Sequence, residues 1–397
     1  MSQGRARTAS VSTWLPIVGL ALAAFMFNTS EFIPVGLLTD IAGTFALSEA
    51  QAGMMISVYA WGVMILSLPL MVAASRLDPR RLLLLVIAVF MAGQVASAVA
   101  PTFVLLVLAR LLVAAAHAIF WSIASPLATR IADPSQASRA MGLVVTGSSI
   151  AMIAGMPLGR VIGLAVGWRA TFSCVAAVAC AVLVMMTIAM PRVERTEPFT
   201  VRQLPDVLRN RALMVIYAVT ILVATGYYTG YSYIEPFMQR VADMPDTSIT
   251  ACLTVFGVAG LVGSFLFSRL YDNHRIPFVR IMVFGVAASL LLLGTAGAAT
   301  WAAFAVCALW GLSATAFNVA FQAEIIHDTP AYVSAVAMSI FSGLFNLGIG
   351  CGTWLGGQVV DGLGINLIGV VGGLVALAGF VVCFVSMRKG KSANATA

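Results

Sequence analysis

Long apolar runs of about 20 residues alternate along the chain with short polar connections that hold most of its charge. At 1.5 Å per residue, such a run crosses the roughly 30 Å hydrocarbon core of a bilayer as one α-helix. Twelve runs meet this length: 14–38, 50–73, 82–100, 103–128, 139–166, 170–190, 213–239, 248–270, 277–297, 300–325, 332–357 and 365–387. Several contain Pro or Gly, which spanning helices tolerate better than soluble ones. The first run, from Trp14 to Leu38 after Arg5 and Arg7, is too long for a signal-peptide core and reads as a retained span. The pattern predicts an all-α membrane protein of twelve transmembrane helices.

The polar connections set its orientation, because Lys and Arg collect on the cytoplasmic side. With the N-terminus inside, Arg5, Arg7, Arg76, Arg80, Arg81, Arg130, Arg139, Arg192, Arg195, Arg202, Arg209, Arg211, Arg269, Arg275, Arg280, Arg388, Lys389 and Lys391 all lie inside. That leaves Arg160, Arg169 and Arg240 outside and Arg110 within a span. Both termini are therefore expected in the cytoplasm. The inside connection around His327 and Asp328 has no Lys or Arg, and span parity alone places it.

Composition agrees. Hydrophobic residues make up 61% and charged residues 9%, with mean hydropathy +1.00, against about 25% charged in soluble domains. The net charge of +7 is dispersed over short loops, so no nucleic-acid surface is expected. The partners implied are the lipid bilayer and small solutes, and a monomer is the expected unit. Cys174, Cys180, Cys252, Cys307, Cys351 and Cys383 all lie in apolar stretches without a C-x-x-C pair, and read as core residues with no disulfide or metal site.

The longest polar stretch, 191–212, divides the chain into a six-span half at 14–190 and another at 213–387, with tails at 1–13 and 388–397. The halves echo each other. Span 5 carries Gly155, Gly159, Gly163 and Gly167; span 11 carries Gly348, Gly352 and Gly356 at the same four-residue spacing. Such stripes let helix backbones approach closely. Spans 1 and 7 each place a Glu near a Pro, as Glu31 with Pro34 and Glu235 with Pro236. Two similar halves around a central loop are the build of parallel-repeat transporters.

A carboxylate at membrane depth is costly and marks function by default. Glu31 lies seven residues before the outer end of span 1, and Arg110 lies seven residues into span 4. Both are then about 10 Å below the same boundary, which permits a proton-coupling pair or a static structural one. His117 is two turns past Arg110 on the same face, beside Ala114 to Ala116. It can titrate or hydrogen-bond a solute, or be a satisfied interior histidine. In span 7, Tyr227 and Tyr231 share a face, with Tyr228 and Tyr233 nearby. Tyr227 is too deep for an interfacial belt. Asn28, Asn318 and Asn346 add mid-depth amides that contact substrate or tie helices together. Glu235, nearer the surface, reads as a solvated rim residue. Glu324, near the inner end of span 10, reads as a latch toward the loop holding Arg269.

Catalytic and nucleotide motifs are missing. The "GKS" at 390–392 lacks the Gly a phosphate loop needs at 385, where Val385 stands, and neither H-E-x-x-H nor G-x-S-x-G occurs. No cofactor and no enzymatic activity are expected.

The stretches "FNTSEFIPVGLL", "AHAIFWSI", "GMPLGRVIGLAVGWRATF", "YSYIEPF" and "FSGLFNLGIG" resemble the major facilitator superfamily. The likeness is to its twelve-span drug:proton antiporter branch, and within that to bacterial sugar efflux transporters. The branch's span 5 antiporter signature matches Gly155, Pro157, Gly159 and Gly163, with Met156 interposed, and its span 4 arginine matches Arg110. The loop 2–3 motif survives only as Arg80 and Arg81; Arg76 replaces its acid and Pro79 its last Gly. The resemblance implies two six-helix bundles around an alternately open cavity lined by spans 1, 4, 7 and 10. It implies efflux of a sugar-like solute against protons. Export of hydrophobic or cationic drugs is the alternative in the same fold, and a channel or receptor the alternative outside it.

Overall fold

The computed structural model describes residues 4–74, 77–133, 136–193, 204–297 and 299–387. Arg76, Arg195, Arg202, Arg388, Lys389 and Lys391, and residues 194–203 of the 191–212 connection, fall outside the described residues.

Sixteen α-helices and no strand occur among the described residues. In chain order they are α1 (Gly4–Gly36), α2 (Leu38–Thr44), α3 (Glu49–Ala74), α4 (Pro79–Val99), α5 (Phe103–Ile131), α6 (Ala137–Ile150), α7 (Met156–Val166) and α8 (Trp168–Ala189). There follow α9 (Leu204–Arg209), α10 (Arg211–Tyr231), α11 (Ile234–Arg240), α12 (Asp246–Leu270), α13 (Arg275–Leu291), α14 (Thr300–Asp328), α15 (Ala331–Gly362) and α16 (Ile368–Ser386).

These give the twelve expected crossings. Eleven segments are long and apolar enough to cross a bilayer. The ninth is α13, shorter at 17 residues because its last turn tightens into a 3₁₀ segment at Leu293–Gly297. The fifth is interrupted: α6 and α7 are joined by a π-helical turn at Ala151–Gly155. Pro157 has no N–H for the carbonyl of Ile153, so the α ladder cannot pass this point unbroken.

Helix starts follow local chemistry. Asp78 accepts from the Arg81 N–H with Pro79 in the first turn, Thr102 accepts from Leu105, and Asn210 accepts from Ala212 and Leu213. Of the residues left from the loop 2–3 motif, Arg80 donates to the Thr187 carbonyl at 2.6 Å. Leu105, Leu108 and Leu112 on α5 and Val370, Leu374 and Val381 on α16 are exposed. A helix of this composition needs lipid on that face.

The chain forms two compact units. One comprises Met1–Leu47 and Gly62–Thr200, the other Ser48–Trp61 and Val201–Ala397. Within the first, Gly155, Gly159 and Gly163 face Thr29, Ile33 and Leu37 of α1 and the turn that follows it. The four-residue spacing on one helix thus matches a four-residue spacing on the other. Within the second, Gly348, Gly352 and Gly356 face Ala224, Thr225 and Thr229 of α10. The same turn closes both patterns. Gly167 joins α7 to α8 at φ +90° and Gly364 follows α15 at φ +98°, backbone angles that a side chain makes costly.

The second unit also holds the first turns of α3. Gly53 packs against the Tyr233 hydroxyl, Glu49 pairs with Arg240, and Ser48 Oγ lies 3.4 Å from Asp361 Oδ2.

Candidate functional site

In the first unit the polar residues converge on α1. Glu31 remains partly exposed, with 15% of its side-chain surface open. Its one ion-pair contact among the described residues is with His117, whose Nε2 lies 3.8 Å from Glu31 Oε2. His117 is buried and sits in an aromatic surround, 6.0 Å from the Phe27 ring centre and 6.1 Å from Trp121. Phe27 stacks on Phe120 at 4.3 Å and meets Phe90 at 4.0 Å. Asn28 donates its amide to Ser148 Oγ on α6.

Arg110 is buried beside the Glu31 segment, but its fork is turned to a different partner. NH1 donates to Ser30 Oγ at 2.9 Å and NH2 donates to the Ser30 carbonyl at 3.0 Å, while the guanidinium lies 5.6 Å from the Phe172 ring centre. The reason is covalent. Pro34 has no N–H, so the carbonyl four residues earlier, that of Ser30, loses its intrahelical donor. A buried carbonyl without a partner is costly, and Arg110 fills the vacancy. Gln94, fully buried on α4, also donates to Ser30 Oγ.

Neither Ser30 nor Gln94 stood out in the sequence reading. Gln94 was legible by the rule applied to Glu31, as a polar side chain inside an apolar span. Ser30 required the Pro34 argument.

Arg160, counted among the outer-side charges, is fully buried and donates to the Gly36 carbonyl at 2.5 Å. It thus caps the end of α1, a place where a cation suits the helix dipole. Arg169 donates to the Ala100 carbonyl at 3.0 Å and lies over Trp168.

In the second unit the tyrosines form an aromatic block. Tyr227 and Tyr231 stack with ring centres 5.0 Å apart, and Tyr228 meets both edge-on at 4.4 and 5.8 Å. Trp310 of α14, fully buried, stands edge-on to Tyr227 and Tyr231 at 5.6 and 5.8 Å. Asn346 donates to the Ser342 carbonyl at 3.0 Å, while its Oδ1 is buried with no hydrogen-bond partner among the described residues. Asn318 Oδ1 accepts from Gln322 at 2.6 Å.

Glu235 is fully buried rather than at a solvated rim. The chain breaks between α10 and α11, and the break turns the first residues of α11 inward.

At the other end of α14, Glu324 is 1% exposed and accepts from Arg275 twice, Nε to Oε1 at 3.1 Å and NH2 to Oε2 at 2.6 Å. Tyr271 donates to Oε1 at 2.6 Å. The expected Arg269 lies instead over Phe265, on the last turn of α12, while Arg275 opens α13 past the turn. His327 Nε2 lies 2.6 Å from Arg275 NH1 and His327 Nδ1 lies 2.8 Å from Asp328 Oδ1. Burial, and then the bond to Glu324, push the Tyr271 phenol above its ordinary range. The bond to Glu324 raises the Arg275 guanidinium further above its already high value.

Twelve apolar crossings, a repeated helix-packing pattern and a partly exposed carboxylate on a spanning helix define a membrane transporter of the major facilitator class. The chain belongs to that family: the Major Facilitator Superfamily model matches residues 20–341. It is 40% identical over 366 residues to a probable sugar efflux transporter of Pasteurella multocida (strain Pm70), covering 92% of this chain and 90% of that one.

Two solved structures share the fold at 15% identity. One is a bacterial homolog of the human lysosomal transporter Spinster, in its inward-facing, unoccupied conformation. It has a TM-score of 0.75 and coverage of 94% of this chain and 96% of that one. The other is a D-xylose–proton symporter, with a TM-score of 0.75 and coverage of 94% and 97%.

Proposed function

We propose that this protein exports sugars or sugar-like small molecules from the cytoplasm by exchange with protons across a bacterial inner membrane, working as a monomer with both termini inside. The observation that carries the reading is Glu31. It is a carboxylate on a spanning helix, partly exposed, with one neutral-capable partner 3.8 Å away. A group held this loosely can take up and release a proton, whereas a carboxylate locked in a tight ion pair cannot do so readily. The 40%-identical relative is described as a probable sugar efflux transporter, which supports the substrate class.

Glu31 carries the proton, and Arg110 sets the charge beside it. Asn28 and His117 in the first unit, and Tyr227, Tyr231, Asn318 and Asn346 in the second, contact the substrate. Gly155, Pro157, Gly159 and Gly163 let the fifth span lie close against the first. Tilting of the halves at 14–190 and 213–387 changes the hydration of Glu31, so its proton affinity alternates and substrate and proton compete. A membrane potential of about 100 mV supplies about 2.3 kcal/mol per charge. That sustains roughly a forty-fold gradient of a neutral solute at one proton per turnover.

The test is efflux from sugar-loaded proteoliposomes under an imposed pH gradient. Saturable efflux that accelerates with the gradient supports the reading; efflux indifferent to pH removes it.

The Tyr227–Tyr228–Tyr231–Trp310 block favours a second reading, since aromatic faces also attract lipophilic cations. Resistance and uptake assays on intact cells, sugars against lipophilic cations, separate the two.

A further inference from the structure

Arg110 and Glu31 are neighbours at one depth, yet Arg110 stays outside ion-pair distance of the carboxylate. The arginine spends its fork on the residue just before Glu31. Two independent features of the chain make that choice. The first is the Ser30 hydroxyl, which takes NH1 of Arg110 and is itself held by Gln94. The second is the missing N–H of Pro34, which leaves the Ser30 carbonyl for NH2 of Arg110. Ser30, Gln94 and Arg110 are each at most 1% exposed, so water does not compete for these bonds.

We propose that Ser30 is a positioning residue that holds the Arg110 guanidinium off Glu31, and that Pro34 creates the carbonyl acceptor on which this hold depends. The arrangement keeps a positive charge near the proton carrier without letting the two close into an ion pair. An ion pair would fix Glu31 as the carboxylate through the transport cycle; full removal of the cation would leave it protonated. Held at one remove, Arg110 leaves both forms of Glu31 accessible. The proposal rests on Glu31 as the proton carrier.

The charged groups and the histidine on the helices packed against α1 are Asp40 on α2, Arg80 and Arg81 on α4, Arg110, His117 and Arg130 on α5, Arg139 on α6, Arg160 on α7 and Arg169 on α8. Of these, His117 is the contact at 3.8 Å. Arg160 and Arg169 are bonded to the carbonyls of Gly36 and Ala100. Arg110 is the charge whose position Ser30 and Pro34 decide.

Three substitutions separate the parts. Ser30→Ala removes the hydroxyl anchor. Pro34→Ala gives the Ser30 carbonyl an intrahelical donor and displaces NH2, while improving the helix. Ser30→Thr keeps the hydroxyl and serves as the rescue. The readout is the carboxylic-acid C=O stretch of the purified, lipid-reconstituted protein, followed by infrared difference spectroscopy against pH. The band of Glu31 is identified by its loss in Glu31→Gln.

With Arg110 free to close on the carboxylate, the titration midpoint moves to lower pH by about one unit in Ser30→Ala and in Pro34→Ala. It returns to the wild-type position in Ser30→Thr. The midpoint of proton-driven sugar efflux moves the same way. An unmoved or raised midpoint in Pro34→Ala, the variant with the intact helix, overturns the proposal while leaving Glu31 as carrier. If Glu31→Gln removes no band and leaves the efflux profile unchanged, Glu31 is not the carrier and both readings fall.

Discussion

Glu31 and Glu324 are both acids on spanning helices, and the protein treats them in opposite ways. Glu324 is 1% exposed, gripped twice by Arg275 at 2.6 and 3.1 Å, and bonded to Tyr271. Glu31 is open on 15% of its side chain, and its one ion-pair contact among the described residues is at 3.8 Å to a histidine. A buried carboxylate with three charge-assisted or hydroxyl bonds is a structural fastening, costly to break. On the proposed reading, a carboxylate whose neighbouring arginine is bonded to a serine can change its protonation. Proximity to an arginine therefore says little about the role of a membrane acid; what matters is where the arginine's hydrogen bonds go.

The sharpest way to break this comparison is Glu31→Gln. Substrate binding and passive exchange should survive, while the gradient built by proton-driven efflux falls from roughly forty-fold to none. Unimpaired accumulation in this variant would end the carrier assignment.

Arg275→Ala should act on stability instead. It leaves the buried Glu324 carboxylate uncompensated, at a cost of about 3 kcal/mol. Denaturant or thermal unfolding in detergent measures it. Loss of less than about 1 kcal/mol would mean the pair is exposed enough to be weak.

The two glycine stripes offer a finer contrast. A Cβ at Gly159 would meet the Ile33 side chain, whereas one at Gly352 would meet the Thr225 carbonyl, backbone that can give less. Gly352→Ala should thus cost about 1–3 kcal/mol and Gly159→Ala less than about 1 kcal/mol, by unfolding of the reconstituted or detergent-bound protein. Equal losses would show that α1 and α10 are equally rigid.

The smallest effect concerns pH. The bond to Glu324 raises Arg275, and burial raises Tyr271. A group raised on folding contributes stability that is complete below its unfolded value and is lost only as pH climbs through the folded one. Both folded values lie above the ordinary range, so the stability gap between wild type and Arg275→Ala should stay level from about pH 7 to pH 9. A gap that narrows over that interval contradicts the bonding described.

The spans, their number and the repeat were legible from linear pattern, because bilayer thickness sets run length and glycine spacing sets helix approach; both are local quantities. Gly155, Gly159 and Gly163 meet Thr29, Ile33 and Leu37 at matching intervals for that reason. That Arg110 and His117 lie near the Glu31 segment followed from counting residues along helices. Which of them touch did not. Helix rotation and side-chain direction decide it, and those depend on packing against other spans. Packing set His117 beside Glu31, turned Arg110 to Ser30, buried Arg160 and Glu235, and chose Arg275 over Arg269 for Glu324. Pro34 is the instructive intermediate. The sequence alone dictates that the Ser30 carbonyl must lose its helical donor, but only the three-dimensional arrangement of α1, α4 and α5 decides that an arginine replaces it.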